Sequence, residues 1–164
     1  MISPTMQDAL NAQINIEQHS AQLYLAMSAH CCSRSFKGFA HWLTVQASEE
    51  TAHAAKLIQF LLDRGGRLQL RPIPAPEAEY GSIIEVMEKT LAHEQAITGK
   101  ISALFELARK EKDFASEITL QWYVTEQVEE EASISEIVDQ LHAVGDKGGA
   151  IWYLDSRMGK RARV

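Results

Sequence analysis

The chain has 164 residues, enough for one domain with its own core, and a formal net charge of −6 that works against general binding to nucleic acid. No apolar stretch nears the ~18 residues needed to span a bilayer, and the opening MISPTMQDAL lacks the basic-then-apolar pattern of a signal segment. The two cysteines, Cys31 and Cys32, are adjacent, which suits neither a structural disulfide nor a metal site, so they read as small half-buried thiols of a reducing cytoplasm.

In chain order, apolar residues recur at helical spacing in four long segments. The first is expected from about Thr5 to Arg34, with Ser3-Pro4 as its start signal. The second runs from about Phe36 to Arg64 and stops at Gly65-Gly66, residues that tolerate a left-handed cap. The third opens at Ser82, where Ser-Ile-Ile-Glu85 reads as a capping box, and continues to about Lys112. The fourth spans about Phe114 to Val144 and is closed by Gly145; a short fifth helix follows over about Ala150 to Met158.

The connections set the topology. The first and second helices, and the third and fourth, are separated by only a few residues, so each pair forms an antiparallel hairpin. The link GRLQLRPIPAPEAEYG between the second and third is long, proline-rich and without helical period. A helix of ~28 residues is about 42 Å long, and an extended link of ~16 residues reaches about 53 Å. The link therefore crosses the whole bundle as a stiff strap, which makes the second and third helices parallel. This is an all-α, ferritin-like four-helix bundle rather than a simple up-and-down one, with residues 1–164 expected to form a single domain.

A shift of 77 residues lays the first two helices over the next two: Leu10, Ile14, Glu17 and Tyr24 fall on Met87, Leu91, Glu94 and Ile101. Likewise Leu43, Gln46, Glu50, His53, Leu57 and Phe60 fall on Leu120, Tyr123, Gln127, Glu130, Ile134 and Ile137. The polar exceptions cluster at one level: Glu17 with Glu94, Glu50 with Gln127, His53 with Glu130. Pairs spaced by three residues share a helical face, so all six groups converge midway along the bundle.

Burying unpaired carboxylates costs several kcal/mol each, against a total stability of only ~5–15 kcal/mol. They must be protonated, hydrated, paired with arginine, or bound to cations. No Arg or Lys occupies the four stripes at this level, so cations are the expected solution. Oxygen donors with one imidazole and no thiolate suit Fe(II) or Mn(II) over Zn(II) or Cu(I). Two groups, Glu17/Glu50/His53 and Glu94/Glu130 with Gln127 beside them, point to two adjacent ions with Glu50 as the bridge.

At these residues the chain resembles the bacterial non-haem ferritins. The motif Glu49-Glu50-Thr51-Ala52-His53, preceded by Glu17 and Tyr24 and followed by Glu94 and QWYVTEQVEEE, carries the likeness over essentially the whole length. The resemblance implies iron storage and detoxification, with a ferroxidase centre that oxidises Fe(II) with O2 (or H2O2) and deposits Fe(III) mineral inside a cytoplasmic cage of 24 chains. It implies one iron at Glu17, Glu50 and His53 and another at Glu50, Glu94 and Glu130. Tyr24, Glu50 and Gln127 would act in the reaction, with Trp122 near the centre. A third iron site would use Glu49, Glu126, Glu129 and Glu130. Glu131 is left as a solvated residue, no haem is expected, and neither nucleic acid nor membrane is an expected partner.

One departure is informative: the fourth helix carries Gln127-x-x-Glu130 where related di-iron proteins repeat Glu-x-x-His. The second ion should therefore be held more weakly and pass on to the store. The remaining histidines, His19, His30, His41, His93 and His142, are expected at the surface. The apolar fifth helix, with Ile151, Trp152, Leu154 and Met158, is expected to pack between subunits, and the basic tail GKRARV is given no partner. A di-iron peroxidase or oxidase that stores nothing would form no mineral beyond the centre. A DNA-shielding oligomer would want a basic arm that this sequence lacks.

Overall fold

The computed structural model describes residues 1–145 and 148–162. It contains α1 (Pro4–Ser33), α2 (Lys37–Asp63), α3 (Ile83–Glu111), α4 (Phe114–Val144) and α5 (Gly149–Met158). The helix starts follow local chemistry. Ser3 accepts from the amide of Met6 with Pro4 at the first helical position, Ser82 and Glu85 form a reciprocal capping box, and Asp113 accepts from the amide of Ser116.

The two hairpin turns repeat with the helices. Ser35 between α1 and α2 and Lys112 between α3 and α4 stand 77 residues apart, and both take left-handed backbone conformations, φ 69° and 57°. Neither is glycine, so the repeat extends into a turn geometry that residue type did not reveal. At the end of α2, Gly65 adopts φ 73°, and Gly66 donates to the carbonyl of Leu61, as the glycine pair foretold.

The strap from 64 to 82 lies along α1. Gln7 accepts from the amide of Arg67, Asn11 brackets Arg67 and Gln69, and Asn15 donates to the carbonyl of Arg71. Four helical residues rise about 6 Å, close to the length of two extended residues, so side chains at every fourth position of α1 meet every second residue of the strap. At its far end His30 holds the strap through Nε2 to the carbonyl of Gly81 at 2.8 Å and Nδ1 from the amide of Tyr80. The strap thus delivers α3 beside the start of α2, and the two run parallel.

His30 corrects an expectation: it is buried, because the strap covers it. His19, His41 and His93 are half-buried, and His142 alone of the five is exposed, paired with Glu88. The thiols also separate. Adjacent helical positions face different directions, so Cys31 is buried and Cys32 exposed, and both are free.

α5 packs one face back onto its own chain and leaves Trp152 and Tyr153 on the other. Ile151 and Leu154 join the core formed by Phe39, Trp42 and Leu141. Asp155 accepts from the amides of Gly38 and Phe39, both at 2.9 Å, and so caps α2, whose own first residues provide no side-chain cap. Trp152 stacks on Phe36 at 4.6 Å yet stays half exposed.

Candidate metal centre

The core is two apolar blocks separated by a polar layer. One block holds Tyr24, Met27, Leu43, Met87 and Ile134; the other holds Leu10, Ile14, Leu57, Ile97 and Leu120. Between them sit the six expected groups, all buried: Glu17, Glu50, His53, Glu94, Gln127 and Glu130.

Donor atoms of Glu17, Glu50 and His53 all lie within 4.8 Å of one another, with His53 Nδ1 3.7 Å from Glu50 Oε2. The second expected set gathers differently. Glu130 converges with His53 and Glu126 within the same 4.8 Å, while Glu94 is held to one side. Tyr24 donates its hydroxyl to Glu94 Oε1, and Gln127 Nε2 donates to Glu94 Oε2 at 3.1 Å. Each bond gives the Glu94 carboxylate a neutral donor, while its charge still acts on Glu50 and Glu130.

Three amides support the layer. Gln13 donates to Glu17 at 2.8 Å, Gln46 to Glu130 at 2.7 Å, and Gln127 to Glu94. Gln13 precedes the glutamate it supports by four residues, a spacing visible in the sequence, whereas Gln46, already in the stripe of the second helix, reaches across to Glu130 on α4. Tyr123 fixes the backbone at His53 by donating to its carbonyl at 2.8 Å. Trp122 packs edge-on to the His53 ring at 5.3 Å.

The electrostatics are those of carboxylates lacking enough positive charge. Burial raises the Glu17 carboxyl well above its ordinary range, and the neighbouring Glu50 adds to this. Burial and the charge of Glu94 push Glu50 up to about 8 and Glu130 to about 7. Burial also raises Glu94. Without a cation, burial and the charge of Glu50 therefore favour the protonated form of Glu17. Among the described residues no lysine or arginine pairs with Glu17, Glu50, Glu94 or Glu130.

The glutamates assigned to a third site do not assemble as a set of four. Glu126 and Glu130 approach each other, Glu129 is exposed, and Glu49 is engaged elsewhere. Its partner is Arg161, which donates Nη2 to Glu49 and Nη1 to Gln46 at 2.8 Å. A positive charge does reach this layer, from beyond the four helices, and the stripes could not show it. The basic tail therefore has a partner within its own chain; Arg163 and Val164 lie outside the described residues. Glu131 is also not merely solvated: it accepts from Thr98, whose oxygen accepts from Gln127.

A family model described as a ferritin-like domain matches residues 7–144. Bacterial non-heme ferritins of Staphylococcus saprophyticus and Staphylococcus aureus are 38% and 37% identical, covering 99% and 98% of this chain and 97% of each relative. The solved open-pore ferritin of the hyperthermophilic archaeon Archaeoglobus fulgidus aligns with a TM-score of 0.97 at 44% identity, over 99% of this chain and 100% of that one. The chain belongs to the ferritin family, and its function is the storage of iron.

Proposed function

We propose that the chain is a ferroxidase subunit, in which two ferrous ions meet in the buried polar layer, give up electrons to O2 and leave inward as ferric mineral. The observation that supports this is the layer itself: four carboxylates and one imidazole, all buried at one level, with burial raising every one of the four carboxyls. Such a donor set fits Fe(II), a borderline-hard cation that takes oxygen ligands with one nitrogen.

In this reading Glu17, Glu50 and His53 hold one ion, Glu50, Glu94 and Glu130 the other, and Glu50 bridges them. Proximity of the ions and anionic ligands that stabilise the higher charge are what the protein contributes to the oxidation. Tyr24 and Gln127 keep Glu94 oriented, and the Gln127 amide, a weaker donor than carboxylate, makes the second ion the mobile one. Glu126, which approaches Glu130, begins the inward route, and a third iron passes Glu129 and Glu49 without being held by all four at once.

Residues 1–164 form one repeating domain of a homo-oligomeric cage of 24 chains, supported by large apolar side chains left at the surface such as Leu25, Leu70, Trp152 and Tyr153. No helix among the described residues is long and apolar enough to cross a membrane. A cytoplasmic setting agrees with two free thiols.

Stopped-flow oxidation tests the assignment. Glu50→Ala and His53→Ala should lose the fast aerobic oxidation of Fe(II) while still folding and assembling. Unchanged fast oxidation in both variants rejects the site.

A further inference from the structure

Arg161, three residues after α5, reaches the acidic layer, and no pattern in the four helices accounts for it. α5 is anchored by Ile151 and Leu154 in the core and by the Asp155 cap on α2. The backbone then turns at Gly159, against Gly38. His41 Nε2 holds the carbonyl of Arg161 at 2.9 Å, and the guanidinium lies over the Trp42 ring at 4.4 Å. From there one nitrogen reaches Glu49 and the other Gln46, which donates in turn to Glu130.

Four contacts from three consecutive turns of α2 are more than a loose surface arginine makes. The Arg161 and Glu49 side chains retain only 23% and 18% of their accessible surface. A guanidinium in this position satisfies Glu49 and holds the Gln46 carbonyl oxygen, so that the Gln46 amide faces Glu130. It thereby does for Glu49 what a metal ion would do.

We propose that Arg161 is a tethered cation that competes with metal for Glu49, keeping this end of the layer from holding a third ion tightly. The inference rests on the dinuclear reading above, since it concerns the carboxylates adjoining those two ions. Cations leaving Glu130 and Glu126 then meet a carboxylate already neutralised, and move on instead of residing. An arginine is suited to this because it stays charged at every working pH and grips two acceptors at once.

Zn(II), which is not oxidised, is the probe, used in equilibrium dialysis with assembled wild-type protein, with anomalous diffraction at the zinc edge to locate the ions. The wild type should hold two tight ions per chain. Arg161→Gln should gain a third, about tenfold or more tighter than any third ion of the wild type, located on Glu49. Lys160→Ala, an exposed neighbour, should behave as wild type, and adding Glu49→Gln to Arg161→Gln should abolish the gain. Equal third-ion affinity in wild type and Arg161→Gln overturns the inference. So does an equal gain in Lys160→Ala, or a gain that survives loss of Glu49. Fewer than two tight ions in both wild type and Arg161→Gln overturns the dinuclear reading, and the inference with it.

Discussion

Tyr24 on α1 donates its hydroxyl to Glu94 on α3, joining the two hairpins at the level of the buried carboxylates. Burial and the charges of Glu94 and Glu50 raise the phenol well above its ordinary range, so it stays protonated and remains a donor. Tyr24→Phe removes this donor without removing the ring. It should cost about 1–3 kcal/mol and slow aerobic iron oxidation, because Glu94 is then fixed by Gln127 alone. Thermal melting and stopped-flow absorbance check the two effects; full retention of both would show that the bond has no role.

The raised carboxyls make the metal-free protein sensitive to pH in a definite direction. Glu50 and Glu130 titrate near 8 and 7 in the folded chain, above their ordinary value of 4.5. The folded state therefore binds more protons than the unfolded one across this window, and stability falls as pH rises. It is fullest below about 4.5, declines through neutrality and is lowest above about 8. Calorimetry in the presence of a chelator should show melting temperature decreasing from pH 5 to 8. Glu50→Gln should flatten that slope.

Much of the fold and the six-membered layer was legible because both depend on periodicity. A glutamate replacing leucine in a stripe is visible without knowing what it faces, and the shift from Glu17 to Glu94 disclosed the repeat. Contacts made outside the repeated stripes were not legible. Asp155 capping α2, His30 under the strap and Arg161 on Glu49 each join residues 50 or more positions apart, and helical period carries no information about them. Glu131 was misread for a related reason: its partner Thr98 lies on another helix and looks like an ordinary surface residue.

At Gly38, α2 lies directly against α5. A Cβ there would lie 1.6 Å from the carbonyl oxygen of Asp155, so Gly38→Ala must displace α5. Asp155→Ala removes only the cap and should cost about 0.5–2 kcal/mol. The expected order of melting temperatures is wild type, then Asp155→Ala, then Gly38→Ala. Limited proteolysis should cut the last variant fastest within α5. A Gly38→Ala protein as stable as wild type would contradict the packing described.

Gln127→Glu converts the weakest donor of the layer to a carboxylate. It replaces an amide that donates to Glu94 with a group that repels it. The metal-free protein should lose stability, while Zn(II) should raise its melting temperature by more than it does for wild type, because the second ion gains an anionic ligand. Differential scanning calorimetry with and without Zn(II) reads both. A stabilised metal-free variant would mean that the carboxylates are not short of positive charge.

That shortage is tested most directly by anomalous diffraction from crystals equilibrated anaerobically with ferrous salt. Two iron peaks should appear inside each bundle, one among Glu17, Glu50 and His53 and the other bounded by Glu50, Glu94 and Glu130, with Glu94 still bonded to Tyr24. An interior that remains free of iron at saturating ferrous salt, its glutamates protonated or turned towards water, would contradict the account.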